Sequence, residues 1–229
     1  MLFKRMFNKI IGRLATLMYE KGGDIARRTL PKFGNNPKNL QIDLPRVICH
    51  PELISIGDDV FLGHGTFLVA QTGYPAFASE TAQIQQFPHS SKPKIIIGNR
   101  VTATASLQIA AMGEVTVEDD VMFASNINIT DGLHGYENAH EPYKYQRMFR
   151  IAPIRIKRGC WIGQNVVILP GVTIGAMSII GANSVVTRSI PDRCIAVGAP
   201  ARVIKTWDDN SKRWICPSSS FEEKSSDEN

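Results

Sequence analysis

Residues 156–191 read IKRGCW-IGQNVV-ILPGVT-IGAMSI-IGANSV-VTRSIP, in which an aliphatic residue recurs at every sixth position. The same spacing appears in three earlier stretches that begin at Ile56, Ile97 and Val117. Thirteen of these fifteen sixth-position residues are Ile, Leu or Val. A fixed short period of this kind is the signature of a repeat architecture, in which each unit stacks on its neighbours.

A period of six matches neither an α-helix nor a β-hairpin. It is typical of short strands that each turn one side chain inward and are joined by sharp corners. Three strands then make one triangular coil of 18 residues, and the coils stack into a prism. Gly, Asn and Asp between the aliphatic residues provide the left-handed backbone that tight corners need. An ordinary β-sandwich is disfavoured, because its strands recur every 8–12 residues with a period of two.

The repeat is interrupted at residues 71–94, 111–116 and 135–153. Each interruption follows the third strand of a coil, so all three are expected to project from one edge of the prism. Insertions in repeat proteins collect on one face, which is often the binding face. The two long loops are therefore predicted to form one side of a cleft.

The charge is concentrated at the two ends of the chain. Residues 1–46 carry a net charge of +7 and residues 217–229 carry −3, which leaves about +1 for the middle. Because the middle lacks a basic stripe interleaved with aromatic residues, a nucleic-acid partner is not expected. The four cysteines, at 49, 160, 194 and 216, form no CxxC pair, which favours a reducing cytoplasm over a disulfide framework or a zinc ribbon.

Apolar residues in the first 20 positions recur at steps of three and four, with basic residues between them. This pattern predicts an amphipathic helix that ends near Gly22 and Gly23. Two interpretations remain open for its apolar face. The face packs on the body or on a neighbouring subunit, or it docks on an anionic membrane surface.

The stretch IRIKRGCWIGQNVVILPGVTIGAMSIIGANSVVTRSIPDRCIAVGAPARVIK, residues 154–205, resembles the hexapeptide-repeat acyltransferases. It is most similar to the sugar O-acetyltransferase branch, which includes the maltose and galactoside acetyltransferases. The resemblance implies an all-β, left-handed parallel β-helix over 47–207. The basic helical arm predicted at 1–46 and a partly disordered tail expected at 208–229 lie outside the resemblance. The resemblance also implies a homotrimer with acetyl-CoA as co-substrate and no metal.

The family's catalytic base is a His on the coil before the long loop, and His134 occupies that position. Imidazole suits the role because its pKa lies near the working pH. Asp131 precedes it by three residues and could hold the imidazole tautomer, orient the acceptor or simply form a turn. Gly132 stands where the related enzymes often have a further His. Four residues of the following loop are candidates for acceptor binding: Tyr136, His140, Glu141 and Tyr143.

The resemblance also assigns the donor side. Trp161 matches a Trp beside the thioester, and Gln164 and Ala182 match positions along the pantetheine. Arg and Lys can hold the phosphates of coenzyme A by charge-assisted hydrogen bonds. The candidates near the nucleotide end are Thr187, Arg188, Arg202 and Lys205.

These residues predict direct transfer from acetyl-CoA to a sugar hydroxyl of a bacterial surface polysaccharide, lipopolysaccharide or related glycan. No nucleophile elbow is present, so an acyl-enzyme is not expected. N-acetylation of an amino sugar, or of a nucleotide-linked amino sugar, is the alternative that the sequence leaves open. A non-catalytic hexapeptide scaffold is a weaker alternative. A zinc carbonic anhydrase is disfavoured, because His134 and His140 are six residues apart and the closely spaced His pair of that class is absent.

Overall fold

A computed structural model describes residues 2–74, 85–87 and 94–216. The chain begins with helix α1 (Leu2–Arg28) and continues almost entirely as short strands, apart from two 3₁₀ turns at Pro51–Leu53 and Tyr143–Tyr145. The first strands are β1 (Gln41–Ile42), β2 (Arg46–Cys49), β3 (Ile54–Ile56), β4 (Phe61–Leu62), β5 (Thr66–Ala70), β6 (Gly73–Tyr74), β7 (Gln85–Gln86), β8 (Ile95–Ile97), β9 (Thr102–Ala111), β10 (Val115–Val117) and β11 (Met122–Thr130). The rest are β12 (Leu133–His134), β13 (Met148–Phe149), β14 (Ile154–Ile156), β15 (Trp161–Ile162), β16 (Val167–Ile168), β17 (Thr173–Ile174), β18 (Ile179–Ile180), β19 (Val185–Val186), β20 (Cys194–Gly198), β21 (Ala201–Asp208) and β22 (Arg213–Ile215).

The strands stack into three parallel sheets that enclose one core. The first sheet has the order β3-β8-β10-β14-β17. The second runs β1-β4-β9-β11-β15-β18-β20, and the third pairs β2, β5, β9, β11, β16 and β19. Strands β9 and β11 belong to both the second and the third sheet, because each continues around the corner between them. The chain therefore visits the three sheets in turn, as the triangular coil requires.

The sixth-position residues stack directly on one another in the core. In the first sheet Ile56 pairs in register with Ile97, and Val117 with Ile156. The other two sheets repeat this arrangement, and all fifteen side chains are at most 2% exposed. Full burial of an aliphatic side chain contributes about 1.5–3 kcal/mol. The predicted stack of parallel coils is thus confirmed. Each repeat buries more than the one predicted residue, because the side chain two positions earlier is also in the core, as at Cys160 and Val166.

The corners use left-handed backbone in vertical columns. Between the second and third sheets the column contains Gly65, Ser106, Asn126, Asn165 and Asn183, with φ values of 76°, 52°, 61°, 58° and 59°. In its lower part Asn126 Nδ2 donates to Asn165 Oδ1 at 3.1 Å, and Asn165 Nδ2 donates to Asn183 Oδ1 at 2.9 Å. Short polar side chains that tolerate this conformation therefore also bond one coil to the next.

Helix α1 is longer than the sequence predicted. It continues through Gly22 and Gly23 to Arg28, because its last turn is held against the first coil. Ala26 is buried, Arg27 donates to Gln41 Oε1 at 3.2 Å, and Arg46 donates to the Ala26 carbonyl at 3.1 Å. These tertiary contacts outweigh the low helix propensity of the two glycines.

The ends of the sheets also differ from the predicted boundaries. Strand β1 pairs with β4, so the ladder already starts within the 1–46 segment that was assigned to the arm. At the other end β21 and β22 form an antiparallel hairpin that extends into the 208–229 segment. A T-shaped contact between Trp207 and Trp214 joins the two strands. Partial disorder was predicted for the tail at 208–229, of which residues 217–229 lie outside the described residues.

Candidate active site

All three interruptions of the repeat lie between the third sheet and the first, on one edge of the prism. The described parts of the two long loops contact each other there. The Tyr74 hydroxyl donates to the Lys144 carbonyl at 2.8 Å, and the Met148 N–H donates to Gln85 Oε1 at 2.7 Å. The two loops thus form a joint wall at this edge, as the spacing of the interruptions predicts. Residues 75–84 and 88–93 of the first loop lie outside the described residues.

His134 stands on a small antiparallel hairpin in this wall. Strand β12 pairs with β13, with His134 opposite Met148. The imidazole is exposed, and the Tyr74 ring packs edge-on against it with centroids 5.0 Å apart. The hairpin fixes the backbone and Tyr74 restrains the ring, so the imidazole has a defined position at the prism edge.

A cleft of about 330 Å³ opens beside His134. Its floor consists of outward-facing residues of the third sheet, and its wall comes from the loops. Within the described chain, Gln71 Oε1 is buried without a hydrogen-bond partner, which leaves a strong acceptor free for a ligand. The lining residues are Phe67, Gln71, Gln108, Ala110, Met112, Asn128, Ile129, Thr130, Gly132, Leu133, His134 and Met148.

Asp131 is fully buried and is bonded to backbone. Its two carboxylate oxygens accept the N–H groups of Met112 and Gly113, each at 2.7 Å. Burial raises the pKa of Asp131, while these bonds and the charge of Lys94 act in the opposite direction. Among the described residues, Asp131 forms no hydrogen bond with the His134 imidazole. The geometry therefore favours an anchoring role for Asp131 over the tautomer-holding role that the sequence left open.

Lys94 supports the same turn from the other side. Its ammonium group is buried and donates to the Met112 carbonyl. Burial lowers the pKa of Lys94, and the nearby Asp131 charge partly compensates. The short turn after β9, which forms one side of the cleft, is therefore fixed by two buried groups of opposite charge.

The predicted acceptor-binding residues lie in the second loop but do not line the cleft. The Tyr136 ring packs on Phe149 with centroids 5.5 Å apart, and the His140 N–H donates to Asn138 Oδ1 at 2.9 Å. Tyr143 is exposed in a 3₁₀ turn. Glu141 instead lines a neighbouring pocket of about 480 Å³, and Met148 is the one residue that lines both this pocket and the cleft.

The predicted donor residues lie along the later coils. Gln164 and Ala182 occupy the corner between the second and third sheets on successive coils, where the Asn183 N–H donates to the Gln164 carbonyl. Thr187 and Arg188 directly follow β19. Arg202 and Lys205 are exposed on β21.

Trp161 lies on the outside of the second sheet and is 47% exposed. His134 lies at the edge between the third and first sheets. One prism therefore does not bring Trp161 and His134 to the same face.

Among the described residues, no group of three His, Cys, Asp or Glu side chains is placed to hold a metal ion. The described part of the chain also contains no helix long and apolar enough to cross a membrane.

Comparison with known proteins assigns this architecture to a family. The model of the bacterial transferase hexapeptide (six repeats) matches residues 153–188. Galactoside O-acetyltransferase of Escherichia coli (strain K12) is 41% identical over 120 residues, which cover 52% of this chain and 58% of that protein. The putative lipopolysaccharide biosynthesis O-acetyl transferase WbbJ of the same organism is 30% identical over 179 residues, covering 76% of this chain and 82% of its own length.

Solved structures are similar as well. A galactoside acetyltransferase in complex with coenzyme A has a TM-score of 0.50 and 32% identity, with coverage of 69% of this chain and 67% of that one. A variant of AntD, an N-acyltransferase from Bacillus cereus in complex with dTDP and coenzyme A, has a TM-score of 0.61 and covers 82% of this chain and 90% of its own. At 22% identity, the second likeness shows the fold alone.

The repeat, the three-sheet prism and these matches together define the class: the chain belongs to the hexapeptide-repeat acyltransferase family. Within that family its relatives include sugar O-acetyltransferases, as the motif over residues 154–205 predicted.

Sequence reasoning did not find the polar lining of the cleft. Gln71, Gln108 and Asn128 come from three successive coils and meet only because those coils stack. The outward positions of Gln108 and Asn128 follow from the six-residue repeat, but the repeat does not distinguish the part of the third sheet that lines the cleft from the rest.

Proposed function

We propose that this chain is an acetyl-CoA-dependent O-acetyltransferase that acts on a sugar hydroxyl of a bacterial surface polysaccharide, lipopolysaccharide or related glycan. The observation that carries the proposal is the exposed His134 imidazole at a cleft of about 330 Å³ with polar walls. The activities for which galactoside O-acetyltransferase and WbbJ are named support sugar O-acetylation. The coil is proposed to wind left-handed, the exception to the usual right-handed crossover.

His134 acts as the general base in this proposal. Its imidazole removes the proton of the acceptor hydroxyl as the hydroxyl oxygen attacks the thioester carbonyl. The new ester bond forms as the carbon–sulfur bond breaks, and the proton passes to the departing thiolate. Tyr74 restrains the imidazole, and a backbone N–H stabilises the oxyanion. The transfer is direct, without an acyl-enzyme.

Polar groups in the cleft recognise the acceptor. Gln71 Oε1 is buried and lacks a partner within the described chain, so it accepts a hydrogen bond from a second sugar hydroxyl. Gln108 and Asn128 extend the polar floor. Tyr136, His140, Glu141 and Tyr143 remain proposed acceptor contacts for a glycan that extends from the cleft over the second loop. Asp131 serves as a positioning residue through the turn at 112–114.

The donor acetyl-CoA supplies the activated acyl group as a thioester. Gln164 and Ala182 line its pantetheine, while Thr187, Arg188, Arg202 and Lys205 surround its nucleotide end. The exposure of Arg188, Arg202 and Lys205 supports this role, since guanidinium and ammonium groups hold phosphates by charge-assisted hydrogen bonds. No metal takes part in the proposed transfer.

A homotrimer completes the site. The second sheet exposes Phe61, Met122 and Trp161, and the third sheet exposes Val47 and Phe67. Such apolar faces suit burial against a neighbouring prism. Trp161 then comes from one subunit and His134 from the next, which supports a site between subunits. We place this enzyme in the cytoplasm, where acetyl-CoA is available.

The experiment measures thiol release from acetyl-CoA and identifies the products by mass spectrometry over bacterial glycans and nucleotide-linked amino sugars. His134→Asn should lower kcat by about 10²–10⁴-fold, the usual contribution of a general base. His50→Asn is the matched control, because His50 is paired with Glu52 away from the cleft.

The product distinguishes the remaining alternatives. An acetylated hydroxyl that disappears with His134→Asn supports the proposal. An acetylated amine would replace it with N-acetylation, and wild-type kcat in His134→Asn would contradict the base assignment. Failure to bind acetyl-CoA at all would favour the non-catalytic scaffold.

A further inference from the structure

Helix α1 carries an apolar face that the rest of the described chain does not cover. Met6, Phe7, Ile10, Ile11 and Leu14 are each 50–57% exposed. At 100° per residue these five side chains occupy one continuous arc of the helix. An uncovered stripe of five large apolar residues is costly in water and marks an interaction surface.

The helix is attached to the coil only near its C-terminal end, as far as the described contacts show. Ala26 is buried, and the bonds that join helix and coil involve Arg27 and the Ala26 carbonyl. Residues 6–16 are all exposed. The N-terminal half therefore projects from the first coil with its apolar arc free.

The charge of this half is of one sign. Residues 1–19 contain Lys4, Arg5, Lys9 and Arg13 and no acidic residue. Lys9 and Arg13 lie on the helix surface outside the apolar arc, with Arg13 next to its border. A surface that covers the arc therefore meets cations at its margin.

This charge distribution selects among the occupants of the face. A second copy of the helix would bring cations against cations, with no carboxylate in residues 1–19 to pair with them. An anionic bilayer offers both an apolar layer and negative headgroups. Basic amphipathic helices lie in this interface, with the apolar face buried below the headgroups.

We propose that residues 6–16 of α1 dock the protein in the plane of an anionic phospholipid surface, through the apolar arc and its basic flank. This inference goes beyond the proposed acetyl transfer and does not depend on it. Docking holds the first coil of the prism next to the bilayer.

The test uses the full chain with vesicles of phosphatidylcholine, with or without phosphatidylglycerol, in a co-sedimentation assay. The wild type should bind only the anionic vesicles, and added salt should weaken binding. Phe7→Ser with Ile11→Ser should abolish binding. Asn8→Ser with Thr16→Ser, two changes on the opposite side of the helix, is the matched control and should bind like the wild type.

A variant with fewer charges measures the electrostatic contribution to vesicle binding. Lys9→Gln with Arg13→Gln should weaken binding to the anionic vesicles roughly 25-fold, about fivefold for each cation removed. Equal binding by this variant and the wild type would contradict the role of the basic flank.

Two further results would overturn the proposal. One is the absence of wild-type binding to anionic vesicles at low salt. The other is a smaller particle for Phe7→Ser with Ile11→Ser in sedimentation velocity without lipid, which would assign the face to an interface between copies. Thermal unfolding should match the control, since the substituted residues are exposed.

Discussion

At the scale of single residues, Asp131 and His134 differ sharply although three positions separate them. His134 is exposed at the cleft, whereas Asp131 is buried beneath it and bonded to Met112 and Gly113. In the proposed mechanism the carboxylate acts only through the turn that it holds. This assignment leads to a prediction that distinguishes positioning from catalysis.

Asp131→Asn should destabilise the protein by about 1–3 kcal/mol, because an amide has one acceptor oxygen and leaves one of the two buried N–H groups unbonded. Denaturant unfolding measures this loss. Asp59→Asn, the same change at an exposed corner, is the control and should be nearly neutral. Because the displaced turn lies beside the cleft, the KM for the acceptor should rise more than kcat falls.

The difference in stability between the wild type and Asp131→Asn should depend on pH in a defined direction. Burial raises the folded-state pKa of Asp131 above its ordinary value of 3.8. Folding therefore favours the protonated acid. Its contribution to the free energy of unfolding is fully present below pH 3.8 and is lost as the pH rises through the folded-state pKa. The stability of the wild type relative to Asp131→Asn should increase as the pH falls through this window. An unchanged difference would contradict the raised pKa.

At the scale of elements, the corners decide how the coils stack. The strands contribute only two or three residues each to the later coils, so the turns carry much of the regularity. The column Asn126, Asn165 and Asn183 combines left-handed backbone with side-chain bonds between coils. The backbones of successive coils are also close together at this corner, since a Cβ on Gly163 would lie 2.7 Å from the Ala182 nitrogen.

Asn165→Ala should destabilise the protein by about 2 kcal/mol. Alanine pays about 1–2 kcal/mol for the left-handed conformation, and two side-chain hydrogen bonds are lost as well. Asn165→Gly removes the same bonds without the conformational penalty, so its loss should be about 1 kcal/mol or less. Thermal or denaturant unfolding of the pair measures the difference. Equal losses would show that the backbone conformation contributes little.

At the scale of the whole molecule, the positions of Trp161 and His134 on different faces determine how an active site can be assembled. A site between subunits needs one residue from each neighbour. Trp161→Ala and His134→Asn should each be nearly inactive alone. When the two variants are co-expressed, mixed trimers contain interfaces in which His134 of one subunit meets Trp161 of the next, and part of the activity should return.

Recovery of activity in this mixture, measured as thiol release, would support a site between subunits. The control is co-expression of the wild type with either single variant, which gives the expected activity for random assembly. Inactivity of the mixture, or full activity of a monomer in sedimentation, would contradict the shared site. The apolar outer faces at Phe61, Met122 and Phe67 should be covered in the same assembly.

The sequence by itself determined the prism. The six-residue period identified the column of inward aliphatic residues, and the interruptions identified the edge that carries the loops. It also placed His134 at the start of the second loop, because the motif and the repeat register agree there. These features depend on local order along the chain, which a single sequence displays directly.

Only the tertiary structure determined the contacts that do not follow from the six-residue repeat. The burial of Asp131, the Gln71 oxygen that lacks a partner within the described chain, and the meeting of Gln71, Gln108 and Asn128 in one cleft depend on segments that are about 20 to 60 positions apart. The extension of α1 to Arg28 depends on Arg46 and Gln41 of the first coil. Contacts of this kind arise from the way coils and loops meet in space, and their energies outweigh the local propensities from which the sequence was interpreted.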